Sequence, residues 1–120
     1  MKILYCLKCK TPDRYYVGIT EVWRWEARHR EHISGQGAQW TQKHGVDKVM
    51  WKRTVPNKDA RRLEDVECAL LCCQYGMNGC RGGLFNIRSD VAELPRWIVR
   101  PYFERRSEIE AASRGRIVLS

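Results

Sequence analysis

The chain has 120 residues, 43% of them hydrophobic and 30% charged, and a formal net charge of +8. That length fits one globular domain with its own core and does not comfortably fit two. No apolar run approaches the roughly 20 residues needed to span a bilayer, which excludes a helical membrane protein.

The charge is uneven. Residues 1–58 carry twelve Lys/Arg against five Asp/Glu, residues 59–87 three against four, and residues 88–120 seven against five. A basic first half beside a slightly acidic middle suits a protein that draws in a polyanion and holds a cation next to it. Met1–Tyr5 passes straight into a strand-like pattern without an apolar h-region, so no secretion signal is expected. The six cysteines (6, 9, 68, 72, 73 and 80) are therefore read as reduced thiols in an intracellular setting.

Ile3 to Cys9 reads as a strand, Lys10-Thr11-Pro12-Asp13-Arg14 as a polar turn, and Tyr15 to Ile19 as a second strand completing an antiparallel hairpin. Trp23 to Ser34 reads as a helix stopped by Gly35. Gly35 to Ala38 is a flexible loop, and the segment through His44 connects it to a third strand within Val46–Val55. There Val49, Trp51 and Arg53 alternate against Met50, Lys52 and Thr54. Asp59 to Tyr75 has the clearest helical period, with Leu63, Val66, Leu70 and Cys73 on one stripe, Ala69 beside them and Gly76 as C-cap. Pro101 to Arg114 reads as a last helix followed by Gly115. The fold class is α+β: a small three-stranded antiparallel sheet flanked by helices, in the order β-β-α-β-α plus a C-terminal helix.

Cleaving a phosphodiester requires activation of a water, neutralisation of phosphate charge and help for the leaving oxygen. Tyr5 and Tyr16 lie on paired strands and can approach across the ladder, where two phenols near a cation can donate, accept and lose protons. Simple packing with a wet edge is the alternative. Arg28 and His32 are four apart and share a helix face, with Arg24 one turn earlier; a guanidinium matches a phosphate bidentately. Pairing of these side chains with Glu26, Arg30 and Glu31 on a solvated face is the competing reading. Glu64, beside the apolar stripe, is the candidate anchor for Mg²⁺, and a surface pairing with Arg61 or Lys58 the alternative. In the segment Ser34–His44, the backbone N–H groups around Gly37 together with Thr41 and Lys43 are candidates to hold a DNA backbone. Trp40 stacks on a base or packs in the core. Cys6-x-x-Cys9 with the later cysteines invites a zinc-bearing interaction domain. Strand residues three apart point to opposite faces, however, which argues against that.

Ile3-Leu4-Tyr5, then Tyr16-Val17-Gly18, then Arg28 and His32 on one helix and Glu64 on a later one resemble the GIY-YIG nuclease superfamily. The segment Gly35-Gln36-Gly37-Ala38-Gln39-Trp40-Thr41 is similar to the family's Gly-x-Gly-Ala-x-(Trp/Tyr)-Thr pattern. Tyr75-Gly76 followed by Arg81-Gly82-Gly83 resembles one branch of it. The resemblance covers residues 1–87 as a nuclease core and leaves 88–120 as a C-terminal extension that packs on it. It implies a divalent-metal-dependent DNA endonuclease, acting on branched, mobile-element or viral DNA. Tyr5 or Tyr16 would activate water, Arg28 would bind the scissile phosphate, His32 would assist, and Glu64 would ligate Mg²⁺ or Mn²⁺. Arg81 would support the site or touch DNA. A non-catalytic nucleic-acid-binding module with the same fold is the alternative, and a homodimer or larger nuclease complex is left open. The chain departs from the pattern in three places. The step from Tyr16 to Arg28 is longer than usual around Trp23-Arg24-Trp25, which brings in Arg24 as an alternative phosphate ligand. Glu67 is an alternative to Glu64, and the family's late asparagine has two candidates, Asn78 and Asn86.

Overall fold

The computed structural model describes residues 1–76 and 78–82, together with Ser107. The expected helix over 101–114, the extension 88–120, Asn86 and the side chain of Cys73 lie outside the described residues. The elements in chain order are β1 (Lys2–Lys8), β2 (Tyr15–Glu21), a 3-10 turn (Val22–Arg24), α1 (Trp25–Ile33), α2 (Gln39–His44), β3 (Lys48–Val55), α3 (Asn57–Tyr75) and β4 (Cys80–Arg81).

The sheet has four strands in the order β3-β1-β2-β4, one more than expected. β1 is central and antiparallel to both β2 and β3. Its run Ile3–Leu7 is buried at every position because helices cover both faces, which explains an unbroken apolar stretch where a half-exposed strand would alternate. The added strand, β4, is two residues long and pairs parallel with Tyr15 and Tyr16. So short a segment carries no period, and a Gly-containing stretch reads as a loop.

On one face Leu4, Cys6, Tyr15 and Val17 meet Val66, Cys68, Ala69 and Leu70 of α3. On the other, Ile3, Tyr5, Leu7 and Tyr16 meet Ala38, Trp40 and Val46, with Trp25 of α1 against them. Cys6 and Cys9 fall in different clusters, on opposite sides of the sheet.

Two local departures position the site. The loop expected before β3 contains α2, which forms because it carries Trp40 into the core: the indole is fully buried and its Nε1 donates to the Tyr15 carbonyl at 3.0 Å. The simple alternation expected for β3 is broken by a bulge. Cys6 pairs with Trp51 and Leu7 with Val49, so Met50 is the extra residue. Val49 and Trp51 consequently pack on opposite faces, and Lys52 comes to lie directly across from Tyr5.

Candidate active site

In the hairpin register Tyr5 faces Gly18, and Leu7 faces Tyr16. The two tyrosines are thus diagonal neighbours on one face, with ring centroids 6.3 Å apart. Gly18 makes this possible, because a Cβ there would stand 2.5 Å from Tyr5 Oη and 2.9 Å from Tyr16 Cε1. The phenol of Tyr5 lies flat over the β2 backbone at a place only glycine leaves open.

α1 crosses this face and brings Trp25, Arg28 and His32 to it, at helical spacing. Trp25 packs on Tyr5 with centroids 5.0 Å apart. His32 is fully buried between the two phenols, 5.7 Å from the Tyr5 ring and 4.9 Å from that of Tyr16. Its two nitrogens have different partners. Nδ1 lies 3.0 Å from Thr41 Oγ1, and that hydroxyl donates its one proton to the Ala38 carbonyl at 2.9 Å. Thr41 therefore accepts, Nδ1 carries the hydrogen, and Nε2 presents a lone pair. Tyr5 Oη, 2.8 Å from Nε2, donates to it. Gly37 seals the other side of the ring, since a Cβ at that position would collide with His32 Nδ1.

Burial, then the nearby Arg28 charge, pull the His32 pKa down to about 4 against the opposing pull of Glu31, so the ring is neutral at physiological pH. Burial pushes both phenols up, Tyr16 to about 12, while Arg28 pulls both down through its charge and within hydrogen-bonding reach. Arg28 is therefore the guanidinium at the phenols. Arg24 reaches only the far side of the same network: Glu31 accepts from Arg24 Nη2 at 2.6 Å and from Arg28 Nη1 at 2.9 Å. The expected pairing with Glu31 and the expected presence of Arg28 at the site hold together, because one carboxylate orients both cations.

Glu64 arrives from α3, on the opposite face of the sheet, and reaches around the β2 edge, where its carboxylate accepts from the Ile19 backbone N–H. It is buried, and its charge is felt at both Tyr5 and Tyr16. Burial first, then neighbouring Asp65, push its pKa up to about 7, with Arg61 and the Ile19 bond opposing. Glu67 points elsewhere and accepts from Arg53 Nη2 at 2.9 Å. Glu64 is thus the acid at the site.

Three expected DNA contacts are placed differently. Trp40 and Thr41 are buried, one as core and the other as the anchor of His32. Arg81 is fully buried with its guanidinium 4.4 Å over the Trp40 ring, and it donates to the Cys80 carbonyl and to Asn78 Oδ1. Its apolar-facing plane and its paired fork make it a packing residue of the β4 edge. Lys43 remains exposed, with its ammonium 5.9 Å from the Trp40 ring.

Sequence reasoning missed Trp25, His29 and Lys52. His29 stacks on Trp25 at 5.2 Å with the rings 4° apart, and Lys52 sets its ammonium 5.0 Å over the same indole. Trp25 was findable, since positions 25, 28 and 32 share a helix face; Lys52 was not, because its facing depends on the bulge at Met50.

A hard divalent cation fits the acid. One buried carboxylate, short of positive charge and carrying a single backbone donor, suits an ion that keeps several waters and takes further oxygens from a substrate phosphate. Among the described residues no group of three His, Cys, Asp or Glu side chains forms a protein-only metal cage. No helix among them is long and apolar enough to cross a membrane.

No curated protein and no solved structure matches the chain. A model of the GIY-YIG catalytic domain matches residues 1–66, a span that opens with β1 and closes just past Glu64 on α3. That span holds both hairpin tyrosines, the Arg28–His32 face and the acid, and it exceeds half of the sequence. The chain therefore belongs to the GIY-YIG family, whose fold is that of a nuclease and generally of an endonuclease.

Proposed function

We propose that this protein is a divalent-metal-dependent endonuclease that hydrolyses DNA phosphodiester bonds. The observation that carries the reading is the polarised chain Tyr5–His32–Thr41–Ala38, in which every hydrogen has one direction. A phenol that donates inward keeps its oxygen lone pair for an incoming water. As the water attacks, its proton moves to Tyr5 Oη while the phenol proton moves to His32 Nε2. This relay suits a phenol that burial holds above the ordinary range, because no free phenolate is needed at rest. Tyr5 fits the role better than Tyr16, since it is the one bonded to the imidazole.

Arg28 sits where it can bind the scissile phosphate beside the two phenols, and Glu31 fixes its fork from behind. Glu64 would hold the cation, Mg²⁺ or Mn²⁺, which when bound neutralises charge on the phosphate and on the departing oxygen. The basic first half supplies general attraction to DNA, with an affinity that weakens as salt rises. The five described cysteines are free thiols, four of them buried, which suits a reducing, intracellular compartment.

The test is cleavage of plasmid and branched oligonucleotide DNA with Mg²⁺ or Mn²⁺, in parallel with EDTA. Cutting that stops in EDTA and in Tyr5→Phe and Glu64→Gln is expected. Binding without cutting under any metal assigns the chain to the binding-module alternative, and cutting by Glu64→Gln at the wild-type rate removes the metal assignment.

A further inference from the structure

The 3-10 turn Val22–Arg24 joins the strand that carries Tyr16 and Gly18 to the helix that carries Arg28 and His32. It coincides with the stretch where the chain exceeds the family's usual spacing between those two groups. Trp23 at its centre is 81% exposed, the most exposed large hydrophobic side chain among the described residues, and Val22 before it is 50% exposed. An indole left in water has no packing role. Its place is specific, though. Two residues on, Trp25 lies against Tyr5, and one residue on, Arg24 belongs to the same Glu31-centred network as Arg28.

The surroundings are cationic and flat. Lys52 stands over one side of the Trp25–His29 stack, and Arg24 and Arg28 line the helix beyond. A surface that pairs an exposed indole with several fixed cations has the chemistry of single-stranded nucleic-acid recognition: the cations hold the backbone and the ring takes a base face. A base inside a duplex offers no free face, so such a ring gains contact only where a nucleotide is unpaired.

We infer that Trp23 is a base-stacking platform beside the reaction centre, and that the substrate class is DNA carrying an unpaired nucleotide next to the scissile phosphate, as at a flap, bulge or junction. The inference rests on the nuclease reading for the location of the phosphate and goes beyond it in naming what the flanking nucleotide must look like.

The experiment measures binding in EDTA, separately from cutting. The probes are a blunt duplex, and a flap of the same sequence with 2-aminopurine at the first unpaired position. Wild-type protein is expected to quench the 2-aminopurine by stacking. Trp23→Ala is expected to abolish that quench and to weaken flap binding about tenfold, the scale of one base–aromatic stack, while duplex binding changes less than about twofold. Trp23→Phe, which keeps a ring, restores most of both signals. Equal losses on flap and duplex, or no loss on either, overturn the inference. So does a change in oligomeric state on Trp23→Ala without a change in flap binding, which would make the indole a protein contact. Because binding is read without metal, a wild type that never cuts but shows the Trp23-dependent flap preference sinks the nuclease reading and leaves this one standing.

Discussion

Thr41→Val tests the proton relay at its hidden end. Valine keeps the shape of threonine and removes only the hydroxyl, at a site where both Thr41 and His32 are 1% exposed. Two bonds vanish: the one from His32 Nδ1–H to Oγ1, and the one from Oγ1 to the Ala38 carbonyl. A buried donor left without an acceptor costs about 1–3 kcal/mol, so the variant loses stability by that amount if the imidazole keeps its tautomer. The ring can avoid the penalty by moving its hydrogen to Nε2. That places two donors, N–H and the Tyr5 O–H, against each other across 2.8 Å, and the phenol must turn away. Either route removes the proton acceptor behind Tyr5. General acid–base partners contribute about 10²- to 10⁴-fold, so single-turnover cleavage should fall by about a hundredfold or more.

The assays are urea unfolding for stability, single-turnover cleavage for rate, and nitrogen chemical shifts of His32 for the tautomer. Thr41→Ser, which restores the hydroxyl, should recover the Nδ1–H tautomer and most of the rate. A Thr41→Val protein that cuts as fast as wild type, with His32 in either tautomer, would refute the relay.

Gly18→Ala should abolish cutting while the protein still folds, because the new methyl displaces both phenols; circular dichroism and cleavage of the same preparation check this. Trp40→Ala should destabilise the fold by about 3–5 kcal/mol, measured by urea unfolding, and should leave DNA affinity per folded molecule unchanged, because the indole is core and not interface. Glu64 has a folded pKa of about 7 against 4.5 for the ordinary group, so the folded state holds its proton more tightly. Its contribution is fully present below pH 4.5 and is lost as pH rises through 7. In metal-free buffer Glu64→Gln should therefore be more stable than wild type above pH 7, by up to about 3 kcal/mol, and equal to it near pH 4.5. Added Mg²⁺ should raise the wild-type melting temperature and leave Glu64→Gln unmoved; the reverse would place the cation elsewhere.

The hairpin, both long helices and the five central site residues were legible because each is announced by a local signal. β1 is an apolar run, α3 has a 3.6-residue stripe, and Arg28 and His32 are a helical pair. What escaped depends on contacts distant in sequence. α2 is too short to show a period and exists because Trp40 has a cavity to fill under β2. The facing of Lys52 follows from one extra residue in β3, which no pattern in 48–55 reveals. Thr41 and Arg81 carry polar chemistry suited equally to DNA and to the interior. Only the partners decide between these: His32 claims the hydroxyl, and Trp40 claims the guanidinium.

The shortness of β4 completes the argument for a single site. Tyr5 and Tyr16 belong to one face of the sheet and α3 to the other, so an acid on α3 can join the phenols only by passing an edge. β4 covers that edge at Tyr15 and Tyr16 and then stops, with Gly82 pressed against the Val17 backbone. The next outward donor, the Ile19 N–H, is taken by the Glu64 carboxylate. Glu64 thus fills the position along β2 that a longer β4 would occupy, and the backbone bond a strand would have made there holds the acid instead. Lengthening β4 would satisfy the same N–H, gain sheet, and shut the acid away from the phenols. A two-residue strand is therefore what allows residues from both faces of one sheet to act on the same phosphate.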